Sequence, residues 1–295
     1  MLIPRARVRR PLPFRFVVTI SILTLTLFPP RNSSGQEKPP QTEEQRQARE
    51  ALNGGVQNFK NGRSAEAISE FARAKQLDPQ LLNARLYLAT AYASLYIPGA
   101  PSEENRQKGE AAIAEFQGVL SIQPDSLPAI DGIGSLLFQM AGTSGFDPTM
   151  MQKSKFFHQK HTQINPQDPE PHYWIGVIDW TLAFRANGLY RARYNLSVHG
   201  KQIDDADPMP PEVRNEYARE YEPIIEEGIE SLRRAIQLRP DYDDAMAYLN
   251  LMDRRKADIV ETKEQREELL KMADDLIDQI KEIKQKRIES IAAQP

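Results

Sequence analysis

Apolar positions recur along residues 45–290 with helical spacing, and four segments of this stretch resemble one another. Three of them are clearly alike, and the fourth matches more weakly: AEAISEFARAKQLDPQ, GEAAIAEFQGVLSIQPDS, IEEGIESLRRAIQLRPDY and, as the weaker one, QKSKFFHQKHTQINPQDP. Each segment carries a proline near its end, at Pro79, Pro124, Pro240 and Pro166 respectively. No convincing period-two alternation of β-branched residues accompanies them. The pattern predicts an all-α chain built from an internal repeat.

The same residue types return at fixed distances from each of these prolines. Twelve residues before the proline stands a small residue: Ala67, Ala112, Ser154 or Gly228. Eight residues before it stands a mostly bulky one: Phe71, Phe116, His158 or Leu232. Nine and ten residues after it stand an apolar and then a mostly small residue: Leu88, Ile133, Ile175 and Leu249, then Ala89, Gly134, Gly176 and Asn250. A small residue lets a neighbouring helix approach, and a bulky one fills the adjoining groove. Since proline ends one helix and starts the next, each unit is predicted to be a helical hairpin.

This register resembles the tetratricopeptide repeat, and the resemblance covers about residues 45–290. The first repeat fits best, with these residues at family spacing: Gly55, Gly62, Ala67, Phe71, Ala74 and Pro79. The resemblance implies an all-α, right-handed solenoid of about five helical hairpins. The expected repeats are about 48–81, 82–126, 127–168, 169–242 and 243–290. His158, His161 and Asn250 depart from the family pattern, which makes the repeat boundaries less sharp.

Three stretches lengthen the hairpins beyond the family period of about 34 residues. They are IPGAPSEENRQ in the second hairpin, AGTSGFDPT in the third and about residues 184–222 in the fourth. The longest contains Tyr190, Tyr194, Tyr217 and Tyr221. These tyrosines favour partial order, as an extra helix with a lid, over a disordered tether.

The last segment, about residues 262–290, is predicted to be an amphipathic helix. Its apolar residues follow a four-three spacing: Leu269, Ala273, Leu276, Ile280 and Ile283. Because a solenoid needs a polar outer cap, we expect this helix to close the fifth hairpin. A coiled-coil partner helix is the alternative.

The N-terminus has the pattern of a secretory signal peptide over residues 1–35. Five arginines precede the uncharged apolar stretch 16–28, which is too short for the roughly 20 residues of a membrane-spanning helix. Cleavage is expected before Gln36, and residues 36–44 are expected to form a disordered linker. The protein would then be periplasmic or secreted. Alternatives are a membrane anchor formed by residues 16–28, a twin-arginine signal, or a start codon placed too early.

Composition narrows the classes of function. The 295-residue chain has no cysteine, which excludes disulfides, zinc ribbons, iron–sulfur clusters and thiol nucleophiles. Residues 1–35 hold six arginines and no acid, so their removal changes the net charge from −3 to −9. A mature domain this acidic is not expected to bind nucleic acid.

Candidate chemical sites are weak. Gly132-Ile133-Gly134 lacks the third glycine of a dinucleotide loop, and the sequence has no P-loop, HExxH or GxSxG motif. His158, His161 and His172 are the one metal-like set, yet two of them occupy packing positions. Asp179 and Asp253 have no spacing that places two carboxylates at catalytic distance. We therefore expect no catalysis, no cofactor and no metal.

The resemblance implies that the first helices of successive hairpins line a concave groove that holds a peptide or a partner helix. Residues four, seven, eleven and fourteen after each proline point into it. The candidate groove residues are Arg49, Phe59, Asn83, Thr90, Asp131, Phe138, Tyr173, Val177, Trp180 and Arg254. An aromatic cluster on the first helix of the fourth repeat consists of Trp174, Trp180, Tyr173 and Phe184. Within it, Trp174 is expected to pack inside its hairpin.

The sequence thus favours an exported, non-catalytic scaffold that binds another polypeptide. Two other classes stay open. One is a self-assembling structural subunit, since a homo-oligomer is compatible with the fold. The other is an envelope protein that binds a small molecule or a metal through the histidines and tyrosines of repeats three and four. Membrane association is expected only through an uncleaved N-terminal segment.

Overall fold

The computed structural model describes residues 41–142, 145–198 and 202–292. The expected signal peptide and most of the expected linker lie outside these residues. The described chain forms ten α-helices, with these bounds: α1 Glu43–Lys60, α2 Ser64–Leu77, α3 Leu82–Leu95, α4 Glu103–Ile122, α5 Leu127–Ala141, α6 Pro148–Ile164, α7 Pro169–Ser197, α8 Pro211–Leu238, α9 Asp243–Ala257 and α10 Lys263–Ala292. The described residues form no β-strand, which confirms the all-α class.

The helices pack in chain order as five hairpins, α1–α2, α3–α4, α5–α6, α7–α8 and α9–α10, each against the next. We call the members of a pair its first and second helix. First helices of neighbouring hairpins also approach each other, at α1–α3, α3–α5 and α7–α9. Across the described residues no comparable approach joins two second helices. The first helices therefore form the closely spaced row of the solenoid, and the second helices form the splayed row.

Close approaches within the hairpins explain the small and bulky positions of the repeat. A methyl carbon placed on Gly55 would lie 2.5 Å from the Phe71 ring, and one on Gly176 would lie 2.3 Å from Leu232 Cγ. Both bulky side chains are almost completely buried. The first and fourth hairpins thus seat a bulky side chain of the second helix on a glycine of the first helix, where no larger residue fits.

Two of the three departures from the repeat pattern, His158 and Asn250, keep this packing by other means. His158 occupies the bulky position of the third hairpin, and its ring lies against Gly134. Neither ring nitrogen has a hydrogen-bond partner, and burial lowers the pKa of His158 to about 3. In the fifth hairpin the Asn250 side-chain amide donates to the carbonyl oxygen of Ala273 on α10. An amide hydrogen bond there takes the place of a close approach of small residues.

Within the expected insertion 184–222, the described residues 184–198 and 202–222 mainly lengthen α7 and α8, and they do not form a separate helix. Arg191 on the lengthened part of α7 donates to the carbonyl oxygens of Asp204 and Asp207, at 2.6 and 2.9 Å, and to Asp258 Oδ1 at 3.1 Å. Arg255 pairs with Asp205 and Asp258. The connection after α7 is thereby held against the end of α9.

The helix α10 runs along α9 as the second helix of the last hairpin. Ala273 and Ile280 are buried in this contact. Near the start of α9, Arg287 Nη1 lies 2.9 Å from Asp243 Oδ1. None of the described helices has both the length and the apolar character needed to cross a membrane.

Candidate partner-binding surface

Six aromatic side chains form a continuous row across the first helices α5, α7 and α9. We call the set the aromatic row: Phe138, Trp174, Tyr173, Tyr248, Trp180 and Phe184. The consecutive ring centroids lie 5.4, 5.4, 5.8, 5.3 and 5.0 Å apart in that order. Aromatic rings attract each other at such separations, so the contacts fix the positions of the rings and join three hairpins.

The Trp180 end of the row is its most accessible part. Phe184 is 41% exposed and is stacked on Trp180, which is half-buried. Leu251, 36% exposed, lies one turn after Tyr248 on the same face of α9. The Arg255 guanidinium lies 5.9 Å from the centre of the Phe184 ring. We call Trp180, Phe184, Tyr248 and Leu251 the platform.

The two ends of the first helices differ in charge. Asp131, Glu170 and Asp244 lie near the starts of α5, α7 and α9, respectively. Arg185 follows the platform on α7, and Arg254 and Arg255 lie near the end of α9. Burial, followed by the charge of Asp243, raises the pKa of the Asp244 carboxyl. Most of these charges are paired within the described residues: Glu170 with Arg239, Arg254 with Asp274, and Arg255 with Asp205 and Asp258.

The structure brings some of the predicted groove residues together and leaves others apart. Phe138, Tyr173 and Trp180 belong to the aromatic row, whereas Val177 is 1% exposed and not accessible to a partner. Asp131 Oδ1 lies 2.7 Å from His161 Nδ1, and Arg254 pairs with Asp274 at 2.6 Å.

The other four predicted residues lie on α1 and α3, away from the row. Arg49 and Asn83 are exposed, and Phe59 is half-buried in the core of the first hairpin. Thr90 donates its hydroxyl to the carbonyl oxygen of Leu86 at 2.8 Å. No ring contact extends the row onto these two helices within the described residues.

Sequence reasoning missed Tyr248, which joins α9 to the row. The repeat register could have identified Tyr248. In three of the four units, the residue eight positions after the proline is aromatic, namely Tyr87, Trp174 and Tyr248. Tyr87 lies 5.7 Å from Phe71 in the first hairpin. This position faces neighbouring helices, so an aromatic there is expected to make contacts between elements.

The histidines have separate roles. His158 is stacked on Trp174 with a centroid distance of 5.9 Å. Burial opposes charge on His161, but the hydrogen bond with Asp131 and the charges of Asp131 and Asp168 raise its pKa overall. His172 lies with its Nε2 3.4 Å from the carbonyl oxygen of Pro166. Among the residues that the structure describes, no group of three or more side chains has the arrangement of a metal site.

A second concave region lies among α6, α7 and α8. This cleft has a volume of about 710 Å³, and its walls include Gln159, His172, Glu227, Glu230 and Arg233. The lining mixes acids with arginines. No phenylalanine, tyrosine or tryptophan is among the residues that line it.

No protein-family model and no curated protein matches the chain. Among solved structures, MamA from Desulfovibrio magneticus RS-1 is 15% identical, with a TM-score of 0.52, over 81% of this chain and 96% of that one. A second MamA crystal structure is 13% identical, with a TM-score of 0.51, over 78% and 91%. YrrB, described as a TPR protein with an unusual peptide-binding site, is 13% identical, with a TM-score of 0.47, over 77% and 84%. At these identities the likeness is one of fold.

Proposed function

We propose that this chain, which has a tetratricopeptide-repeat-like fold, is a non-catalytic scaffold that binds another polypeptide along the aromatic row. One observation carries the proposal: six rings from three hairpins form one continuous row, and its Trp180 end is exposed to solvent. Rigid aromatic side chains dominate protein recognition because they bury a large area with little loss of conformational entropy.

The chemistry of the row indicates what it holds. The platform offers apolar surface to an aromatic or aliphatic anchor, and the half-buried rings need little rearrangement on binding. An acidic mature domain with no lysine cluster on this surface does not suit a partner recognised through its carboxylate terminus.

We also propose that the protein works outside the cytoplasm. This rests on the basic and apolar pattern of residues 1–28. Mass spectrometry of the native protein tests it, with an expected N-terminus near Gln36. A native protein that retains residues 1–28 and partitions into the soluble cytoplasmic fraction would contradict export.

Selection from a library of displayed random 12-residue peptides tests the binding proposal. The purified protein is expected to enrich peptides with an apolar anchor, because the platform is the largest apolar surface of the row. The double variant Phe184→Asp with Leu251→Asp is expected to lose most of this enrichment, about 100-fold if two anchors contribute over 1 kcal/mol each. Both side chains are partly exposed, so folding is expected to survive.

Leu189→Asp is the matched control. Leu189 is 71% exposed on the same helix, but it belongs to no ring contact of the row. The control is expected to bind the selected peptides as the unchanged protein does. Equal binding by the double variant, with both variants folded by circular dichroism, would refute the platform as the binding surface.

A further inference from the structure

One pair of positions recurs at every junction between hairpins. The residue eleven before each proline is on a second helix, and the residue thirteen after it is on the following first helix. At the first two junctions this pair is apolar, namely Ile68 with Tyr92 and Ile113 with Leu137. Both members of each pair pack against the same buried cluster.

At the third junction the same pair is ionic. Lys155 Nζ lies 2.8 Å from Asp179 Oδ1 and 2.8 Å from Glu227 Oε2. Asp179 is completely buried, and Lys155 supplies a positive charge directly beside it. Burial still outweighs this favourable charge and raises the pKa of Asp179 to about 7.

At the fourth junction the acid is present and the lysine is missing. Asp253 stands where Asp179 stands one hairpin earlier, and the position of Lys155 is taken by Ile229. Asp253 is 1% exposed, Ile229 is 2% exposed, and Asp253 Oδ1 has no hydrogen-bond partner in the described structure.

The charges that face Asp253 do not replace that lysine. They come from Arg233 and Glu226 on α8 and from Lys256 on α9. Lys256 already pairs with Glu226 at 2.7 Å. On α10, Leu276 packs against the hydrophobic core that contains Ile229. An ionised Asp253 is therefore a buried charge without a direct partner.

We propose that Asp253 makes the docking of the fifth hairpin onto the fourth depend on protonation, with tight docking when its carboxyl is neutral and looser docking when it is ionised. Among the four junctions described, two have an acid at this pair of positions. The acid of the third junction faces a lysine, and Asp253 of the fourth does not.

The direction of the pH effect follows from the burial. Burial raises the pKa of Asp253 to about 6, against an ordinary value of about 3.9 when the hairpin is released. The docked form therefore holds the proton more tightly. The equilibrium constant for docking is therefore highest below about pH 4, falls as pH rises, and reaches its low value above about pH 6. The total change is up to about 100-fold.

The junction lies beside the aromatic row. Tyr248 and Leu251 are carried by α9 and move with the fifth hairpin, while Trp180 and Phe184 stay on α7. If the proposed function holds, looser docking separates the two halves of the platform and weakens partner binding above pH 6. This last consequence rests on the proposed function, whereas the docking itself does not.

Trp180 reports on the junction without any partner. Its ring centroid lies 5.3 Å from that of Tyr248 across α7 and α9. In a Trp174→Phe background, quenching of Trp180 fluorescence by acrylamide is measured at pH 4.5 and pH 7.0. We expect at least a twofold larger quenching constant at pH 7.0, because Tyr248 no longer shields the indole.

Asp253→Leu restores the isoleucine–leucine pair of the second junction, and it is expected to give the low quenching constant at both pH values. Asp275→Asn removes an exposed carboxyl of α10 and is expected to keep the full pH dependence. Asp253→Asn serves as a second variant if the leucine variant does not fold. A quenching constant that is the same at both pH values in the parent, or a pH dependence that survives in the folded Asp253 variants, would overturn the proposal.

Discussion

Individual glycines of α7 show how tightly the hairpins are packed. Gly176 faces Leu232, and a methyl group there would lie 2.3 Å from Leu232 Cγ. Gly188, three turns later, has nothing within 4 Å. Close packing therefore leaves no room for a side chain at position 176, whereas position 188 of the same helix has room for one.

We expect Gly176→Ala to lower the free energy of unfolding by about 1–3 kcal/mol, since Leu232 is buried and has to shift. Gly188→Ala is expected to raise it by about 0.5–1 kcal/mol, because alanine favours the helix and meets no obstacle. Urea denaturation followed by circular dichroism measures both. Similar effects of the two substitutions would contradict the close approach at Gly176.

His158 gives a second expectation at this scale. Its pKa is lowered to about 3 in the folded protein, so the unfolded chain takes up a proton that the folded chain does not. Its contribution to stability is complete above about pH 6.5 and is lost as pH falls toward 3. His158→Phe places at this position the residue found at Phe71 and Phe116. Between pH 7 and pH 5, the free energy of unfolding of this variant is expected to fall by about 2 kcal/mol less than that of the unchanged protein.

The measurement is the difference in unfolding free energy between pH 7 and pH 5, for the unchanged protein and for His158→Phe. His172→Phe is the control, because His172 is not at a bulky packing position. An identical acid sensitivity of the unchanged protein and His158→Phe would show that His158 is accessible to protons in the folded state.

Helix pairs are the next scale, where the junction residues decide how hairpins stack. Lys155 and Asp179 form an ion pair at two positions that hold apolar residues at the first two junctions. Removing one partner of a buried ion pair costs more than replacing both by apolar residues.

We expect Lys155→Ile alone to destabilise the protein by about 3–5 kcal/mol, because Asp179 remains buried without its counter-charge. Adding Asp179→Leu recreates the Ile113–Leu137 pair and is expected to recover most of that loss. Glu227, partly exposed, keeps its hydration in both variants. Unfolding free energies of the two single variants and the double variant form a mutant cycle, and simple additivity would contradict the pairing.

Much of this helix-level architecture is predictable from sequence, and the reasons are local. Pro79, Pro124, Pro166 and Pro240 fix the hairpin boundaries, and fixed offsets from them place the small and bulky residues. The continuation of α7 to Ser197 was not predictable, because residues 184–197 are polar enough to read as a loop. Periodicity assigns a residue to a helical face but does not say which neighbour covers it. For this reason Val177 was expected in the groove and is buried, while Tyr248 was overlooked.

The whole molecule combines these contacts into two rows of helices with different roles. The first helices lie close together and carry the aromatic row, and the second helices lie apart with a polar cleft between α6 and α8. Of these two surfaces of the described residues, only the first carries a continuous row of aromatic side chains. We therefore propose that the partner binds along α5, α7 and α9.

Hydrogen–deuterium exchange of the purified protein, with and without a saturating peptide from the displayed library, tests this placement most directly. A bound peptide slows exchange where it shields the backbone or stabilises the helices that hold it. We expect added protection in residues 173–184 and 244–254, the parts of α7 and α9 that carry the platform. Protection concentrated in α6 and α8, around the polar cleft, with α7 and α9 unchanged over these residues, would contradict the account.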